Sequence, residues 1–257
     1  CIIHAEVMPT LASLIEQTPS IVPGDLLTEK LILHIITYIS CVSEEYKVML
    51  VQNNILPLLD ILFCRLSSSG DIACALHARK FIAMSVRSLT ASQGAINKLV
   101  GDGAIRLVCN IMCAGEDTNS DVYENCAISL YSVAQTQYYN DVLLEQGLLK
   151  AISRLAQHPE CFGIAASILY LLSSDPQHRE LVVLDSGARN LLFAIADQPT
   201  HSKSAIQFCA QTLFCLSRCA AESREVLISA GLVPLLLRLS GHDDEKVASP
   251  CSEALRN

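Results

Sequence analysis

A short pattern recurs six times along this chain, and it constrains the fold more than any other feature. Each copy begins at a single anchor residue, which is followed by the mostly apolar first turn of a helix. The anchors are Glu6, Asn54, Gly103, Gly147, Gly187 and Gly231, and their successive spacings are 48, 49, 44, 40 and 44 residues. Self-similarity at a period of roughly 40–47 residues is typical of an α-solenoid, in which each repeat packs on its neighbours.

The recurrence divides the chain into six approximate repeats. Their bounds are 1–44, 45–92, 93–137, 138–175, 176–221 and 222–257. Because a solenoid forms one quasi-linear array, we expect residues 1–257 to form a single domain. Residue 1 is Cys rather than Met and falls within a repeat, so we expect the chain to be a fragment of a longer protein.

Apolar residues at helical spacing predict three helices in each repeat. The first helices are predicted at 45–53, 93–102, 139–146, 177–186 and 222–230. Each of them ends at an anchor, where Gly or Asn suits a left-handed backbone. The second helix begins at the anchor. The third helices are the most apolar, and they are predicted at 26–40, 73–90, 122–135, 162–173, 205–218 and from 245 onward.

This three-helix unit resembles the armadillo repeat. The resemblance rests on the glycine between the first two helices and on endings such as Ala254-Leu255-Arg256-Asn257. It covers essentially the whole chain and implies an all-α, right-handed α-solenoid of about five and a half repeats. HEAT repeats are the alternative, but they have two helices and usually lack this glycine anchor.

In armadillo proteins the third helices line a concave groove that holds an extended peptide. The resemblance therefore implies a partner-binding groove on the third helices of this chain. Its predicted residues are His34, Tyr38, Lys80, Met84, Arg87, Ser88, Ile128, Ser132, Ser167, Gln211 and Cys215. Importin-α-like members place Trp and Asn four residues apart in this groove. Here the corresponding positions contain a single Asn, Asn257, and no Trp, which argues against binding of nuclear localisation signals.

Composition indicates the kind of partner. The net charge is -8, with 51% hydrophobic and 17% charged residues. A negative chain is poorly suited to nucleic acid, whose affinity rests on Lys and Arg at phosphates. No apolar run is long enough to span a bilayer, so we expect no membrane insertion. We expect a protein partner, a peptide or helix with apolar or basic side chains. Acidic loops such as His242-Asp243-Asp244-Glu245 could attract it, or simply cap helices.

No motif indicates catalysis, a metal or a cofactor. The 12 cysteines lie mostly within apolar helical stretches, without a Cys-x2-Cys pair or a histidine at ligand spacing. Gly101-Asp102-Gly103 has no preceding strand, so a nucleotide site has little support. We therefore predict that the chain is not an enzyme, and that it binds no metal and no cofactor.

Three functions follow, in order of preference. The first is a non-catalytic scaffold that binds a peptide or helix of a partner along the groove. The second is a structural component of a cytoskeletal or ciliary assembly, which binds through its convex face and loop edges. The third is a regulatory domain of a larger enzyme. Scattered cysteines without a disulfide framework favour a cytoplasmic location, with ciliary, cytoskeletal or nuclear sites as alternatives.

Overall fold

The computed structural model describes residues 27–114, 119–197 and 202–257, together with Pro9, Thr10 and Ser13. The three ranges form sixteen α-helices and no β-strand, and Pro9, Thr10 and Ser13 are also helical. In chain order the helices are α1 (Leu27–Val42), α2 (Glu44–Gln52), α3 (Ile55–Ser67), α4 (Ile72–Thr90), α5 (Ile96–Gly101), α6 (Ala104–Cys113), α7 (Ser120–Ala134), α8 (Asn140–Glu145), α9 (Leu148–Ser153), α10 (Phe162–Ser174), α11 (Pro176–Leu184), α12 (Ser186–Asp197), α13 (Lys203–Leu216), α14 (Ala221–Ser229), α15 (Leu232–Ser240) and α16 (Glu245–Ala254). Two 3₁₀ turns, Arg154–Gln157 and Pro159–Cys161, join α9 to α10.

The helices recur in threes, and the predicted third helices are confirmed. These are α1, α4, α7, α10, α13 and α16, and each lies within two residues of its predicted bounds. The first helices α2, α5, α8, α11 and α14 also lie where the pattern predicts them, although α5 begins three residues later. The fold class is therefore all-α, as predicted.

The left-handed anchors are confirmed at four positions and wrong at one. Asn54, Gly103, Gly147 and Gly231 have φ values of 57°, 96°, 91° and 99°. At Gly187 the backbone does not become left-handed, because Asp185 ends α11 in an extended conformation. Its Oδ1 then accepts the Ala188 N–H at 2.7 Å and caps α12. The sixth anchor, Glu6, lies outside the described residues.

Gly187 serves a different purpose from the other anchors. It is the second residue of α12, which packs against α9. A Cβ at this position would lie 2.5 Å from the Cβ of Ser153, the last residue of α9. Glycine is therefore required here by the close approach of two helices.

The chain contacts group the residues into two compact units, Cys1–Ile111 (unit 1) and Met112–Asn257 (unit 2). In unit 1 the third helices α1 and α4 lie side by side, and α3 packs against α4. Leu33, Ile36, Leu59 and Ile82 are fully buried there. The predicted single domain over 1–257 stays a prediction.

In unit 2 the third helices pack in sequence, α7 on α10, α10 on α13 and α13 on α16. The second helices do the same, with α9 against α12 and α12 against α15. Phe162, Leu169 and Leu213 are fully buried in this core. A buried histidine, His178, joins two first helices, since its Nε2 lies 2.8 Å from Oδ1 of Asp141.

Within the three described ranges, no single helix has both the length and the apolar composition to cross a bilayer. One pair, α2 with α3, meets both criteria only when taken together, and it is bent by 78°.

Candidate functional site

The predicted groove residues of unit 1 lie on α1 and α4 and face solvent to different degrees. His34 and Tyr38 are exposed, and Tyr38 is the most accessible of the set at 74%. Arg87 is exposed, whereas Lys80, Met84 and Ser88 are half-buried. The two helices therefore share a surface that carries aromatic and basic side chains.

An aromatic cluster forms the centre of this surface. The ring centroid of His34 lies 4.0 Å from that of Phe81 and 4.9 Å from that of His77. Burial lowers the pKa of His77, and the nearby His34 and Lys30 lower it further. His77 and Phe81 were not among the predicted groove residues. They lie one turn from Lys80 and Met84 on the same helix.

Ser88 has a structural partner that sequence reasoning did not predict. Its Oγ donates a hydrogen bond to the carbonyl of Ser40 at 2.5 Å, and this bond connects α4 to α1. Nearby, the hydroxyls of Thr37 and Ser85 lie 2.9 Å apart across the same pair of helices. Ser88 therefore contributes to the scaffold of the surface.

The predicted residues of unit 2 lie on α7, α10 and α13. Ile128, Ser132, Gln211 and Cys215 are half-buried. Ser167 is buried at 8% exposure, and its Oγ donates to the Gly163 carbonyl at 2.8 Å. These helices are consecutive third helices that pack in sequence, and four of the five residues are partly accessible on their surface.

A cavity opens on this surface beside Ser167. It has a volume of about 450 Å³ and lies at Gly163, near the start of α10. Its other lining residues are Tyr131, Pro159, Glu160, Ile164, Ser202 and Ser204. A Cβ added to Gly163 would lie 3.5 Å from Ser202 Oγ, so the absent side chain leaves this space open. Sequence reasoning missed the cavity, although a glycine within a third helix was the signal.

The cavity combines one carboxylate with hydroxyls and an aromatic ring. The Oε1 atom of Glu160 lies 3.2 Å from Nδ1 of His158. The Glu160 side chain nevertheless remains 44% exposed. Glu160 and Glu124 also raise the pKa of Cys161, though less than burial does, which brings it to about 12. The Glu160 carboxylate is the acidic group that lines the cavity, and it is suited to a cationic group.

Aromatic and basic side chains continue along α13. The rings of Tyr170 and Phe208 lie 5.6 Å apart, and the Arg218 guanidinium lies 5.7 Å from the centre of the Phe214 ring. Cys215 lies beside them. Burial raises the pKa of its thiol, while Arg179 and Arg218 oppose this shift. The Cys215 thiol is therefore protonated and uncharged at neutral pH.

The acidic loop before α16 is engaged in local contacts. Asp244 caps α16, since its Oδ1 accepts the Lys246 N–H at 3.0 Å. Its Oδ2 accepts from Gln207 Nε2 at 2.8 Å and lies 3.1 Å from Lys203 Nζ. The Gln207 and Lys246 hydrogen bonds, aided by Lys203, lower the Asp244 pKa to about 2. Asp244 thus acts as a helix cap that also connects α16 to α13.

One family model and several solved structures are similar to this chain. Residues 221–257 match the model of the family described as Armadillo/beta-catenin-like repeat. No curated protein matches the sequence. A crystal structure of computationally designed armadillo repeat proteins for modular peptide recognition is similar in fold, with a TM-score of 0.68 and 18% identity over 98% of each chain. A designed armadillo repeat protein in complex with the peptide (KR)4 has a TM-score of 0.67 and 17% identity, over 97% of this chain and 98% of that one.

The stacked three-helix repeats therefore define an α-solenoid protein, a class whose members are built as repeat scaffolds. The likeness to the designed proteins extends over nearly the whole chain and establishes the armadillo fold. Together with the family match at the last repeat, it confirms the resemblance to the armadillo-repeat family.

Proposed function

We propose that this chain is a non-catalytic interaction scaffold, which binds a peptide segment of a partner protein along the third helices. The observation that carries the proposal is the cavity at Gly163. It lies on the third-helix surface of unit 2, and Ser167, a predicted groove residue, lines it. A designed protein of the same fold was solved in complex with a peptide.

The chemistry of the cavity supports a basic side chain as its occupant. Glu160 offers a half-exposed carboxylate, Tyr131 an aromatic ring, and Ser202 and Ser204 their hydroxyls. A cation gains from a carboxylate and from an aromatic face in a partly desolvated site. The net charge of -8 acts in the same direction over longer range.

The third-helix surface of unit 1, taken by itself, supports apolar anchors in a bound peptide. Phe81 and Met84 provide half-buried aromatic and thioether surface beside Lys80 and Arg87. Large aromatic and apolar residues in well-packed pockets usually supply most of the binding energy of an interface. We therefore propose ligand segments with apolar side chains for unit 1 and with basic side chains for unit 2.

A matched pair of charge reversals tests this proposal. Peptides would be selected from a random display library against the wild-type chain, and their affinities measured by fluorescence polarisation. Glu160→Lys reverses the charge of the cavity, whereas Glu180→Lys makes the same change at an exposed position on the first helix α11. Loss of a charged hydrogen bond costs about 1.5–3 kcal/mol, so Glu160→Lys should weaken binding roughly 10- to 100-fold.

The control should bind within about twofold of the wild type, since surface charges away from a contact contribute little. Both variants must retain the wild-type melting temperature. Equal loss in both variants, or no loss in either, would contradict binding at the Gly163 cavity.

A second candidate has its own supporting observation. The first helices α11 and α14 pack against each other, and they expose the apolar residues Leu181, Leu184 and Ile228 at 49%, 61% and 54%. Such a patch is suited to binding through the loop edge, as in a cytoskeletal or ciliary assembly. Leu184→Arg would then abolish capture of a partner that Glu160→Lys leaves intact.

We propose a reducing compartment for this scaffold, the cytoplasm first, with ciliary, cytoskeletal or nuclear sites as alternatives. The eleven described cysteines are all free. Free thiols persist in reducing compartments and are uncommon in secreted proteins.

A further inference from the structure

One face of α1 exposes an apolar stripe that packing among the described residues of unit 1 does not cover. Its residues are Leu27, Leu31, Ile35, Tyr38 and Val42, which are exposed at 61%, 52%, 45%, 74% and 51%. Their spacing of three and four residues places them on one side of the helix. The buried residues Ile32, Leu33 and Ile36 lie on the other side, towards α4.

The stripe carries no charge. Across α1, which is described in full, the exposed residues are Leu27, Leu31, His34, Ile35, Tyr38, Cys41 and Val42. The third helix α16 is different, because its exposed residues include Glu245, Lys246 and Glu253. Exposed solenoid surfaces are normally polar, as in α16. The uncharged face of α1 is therefore suited to another apolar helix.

Four of the five stripe residues occupy positions that are symmetric about one point of α1. Leu27 and Val42 are equidistant from the midpoint between His34 and Ile35, and so are Leu31 and Tyr38. In an antiparallel pair of α1 helices, a twofold axis at this midpoint would place apolar residues opposite each other. Self-complementarity about a twofold axis is what an isologous dimer requires.

We propose that α1 is a self-association surface, which pairs antiparallel with α1 of a second copy of this chain. The stripe extends over the 16 residues of α1, about 24 Å of helix. At roughly 100 Å² for each of its five main residues, the pair would bury on the order of 1,000 Å² in total. This area lies at the lower limit for a specific protein interface, so the dimer is weak and dependent on concentration.

Head-to-tail stacking of copies would require α1 to meet the last repeat. The charged exposed residues of α16 make that contact unfavourable, because they would have to be desolvated without partners. The antiparallel α1 pair avoids this cost. It also closes the assembly at two copies, whereas a head-to-tail contact would continue into filaments.

Two matched isoleucines test the surface. Ile35 on α1 and Ile61 on α3 belong to unit 1 and are both 45% exposed. Sedimentation equilibrium of the wild type between about 5 and 200 μM should show a reversible monomer–dimer equilibrium. Ile35→Glu should raise the dissociation constant at least tenfold, because it places two carboxylates near the twofold axis. Ile61→Glu should leave it within about twofold.

A second pair of variants tests the antiparallel orientation. Leu27 of one copy should lie beside Val42 of the other, so Leu27→Lys with Val42→Glu creates two ion pairs across the interface. Leu27→Lys with Val42→Lys creates two repulsions instead. The first double variant should dimerise as well as the wild type or better, and the second should be monomeric. The reverse order would overturn the antiparallel pairing.

Several results would overturn self-association. A wild-type chain that stays monomeric throughout the concentration range does so. If the wild type does not dimerise and Ile35→Glu lowers the melting temperature, the stripe packs instead against residues 1–26 of the same chain. An Ile35→Glu variant that only loses a heterologous helical partner would assign it to that partner. None of these outcomes affects the peptide-binding test, which changes Glu160 and leaves α1 intact.

Discussion

Gly187 offers a test of how closely two repeats of this solenoid pack. It is the second residue of α12, and a Cβ added there would lie 2.5 Å from Ser153 Cβ and 3.1 Å from Ser153 Oγ. Carbon atoms in contact prefer a separation of about 3.5–4.0 Å. Gly187→Ala would therefore force α12 away from α9 by a large part of an ångström or more.

The expected cost can be estimated from two opposing effects. Overpacking of a well-filled contact usually destabilises by about 1–3 kcal/mol. Replacing a helical glycine by alanine recovers roughly 0.5–1 kcal/mol. Gly187→Ala should therefore lower the free energy of unfolding by about 0.5–2 kcal/mol, which corresponds to a fall in melting temperature of roughly 2–6 °C for a chain of this size.

Gly163→Ala is the matched control. Gly163 is likewise the second residue of its helix, α10, and a Cβ there would meet Ser202 Oγ at an ordinary 3.5 Å. This variant should be stabilised by about 0.5–1 kcal/mol. Urea unfolding followed by circular dichroism measures both variants. If they shift in the same direction by the same amount, the close approach of Gly187 to Ser153 does not determine stability.

A double-mutant cycle identifies Ser153 as the cause. Ser153→Gly removes both of the nearest atoms, so the cost of Gly187→Ala should be much smaller in that background. The coupling free energy between the two positions should be about 1–2 kcal/mol. A coupling below about 0.3 kcal/mol would mean that the strain lies elsewhere.

Four further predictions concern local features. Asn54→Ala places alanine at a φ of 57° and should destabilise by about 1–2 kcal/mol in urea unfolding, whereas Asn54→Gly should not; equal costs would exclude the backbone explanation. Asp141→Ala removes the nearer of two carboxylates beside buried His178, the other being Asp175 at 3.5 Å, and should cost about 1–3 kcal/mol, with a smaller cost for Asp141→Asn, which retains an acceptor. The Cys161 pKa of about 12 keeps its thiol protonated, so mass spectrometry after maleimide labelling at pH 8 should find exposed Cys41 and Cys64 modified first; early labelling of Cys161 would contradict its burial. The pKa of Asp244 is lowered from 3.8 to about 2, so the stability that its ionised carboxylate contributes is present above about pH 4 and is lost as pH falls towards 2. Asp244→Asn should therefore lose less stability than the wild type between about pH 5 and pH 2. Equal losses would contradict a stabilising role of the ionised carboxylate.

The third helices could be predicted because their signal is local. Apolar residues recur at helical spacing throughout 73–90 and 162–173, and the observed helices are Ile72–Thr90 and Phe162–Ser174. The left-handed residues at Gly103, Gly147 and Gly231 follow from the same kind of information, since only a few residue types adopt that backbone without strain.

The candidate site was less predictable, because it depends on contacts between residues far apart in the sequence. Ser88 donates to the backbone of Ser40, 48 residues earlier, and no pattern in either segment indicates that bond. The cavity at Gly163 exists because Tyr131 and Ser204 reach the same place from two other third helices. Alignment of the repeats predicts which positions of a third helix face the groove. It does not predict which of those side chains remain accessible once the neighbouring helices pack against it.

By itself, the sequence determined the repeat period, the three-helix unit and the resemblance to armadillo repeats, because these rest on spacing and backbone preference along the chain. Tertiary structure decided the purpose of Gly187, the burial of Ser167 and the uncharged open face of α1. Each of these depends on how closely one helix approaches another. That distance is set by the side chains of both helices at once, and neither segment contains it alone.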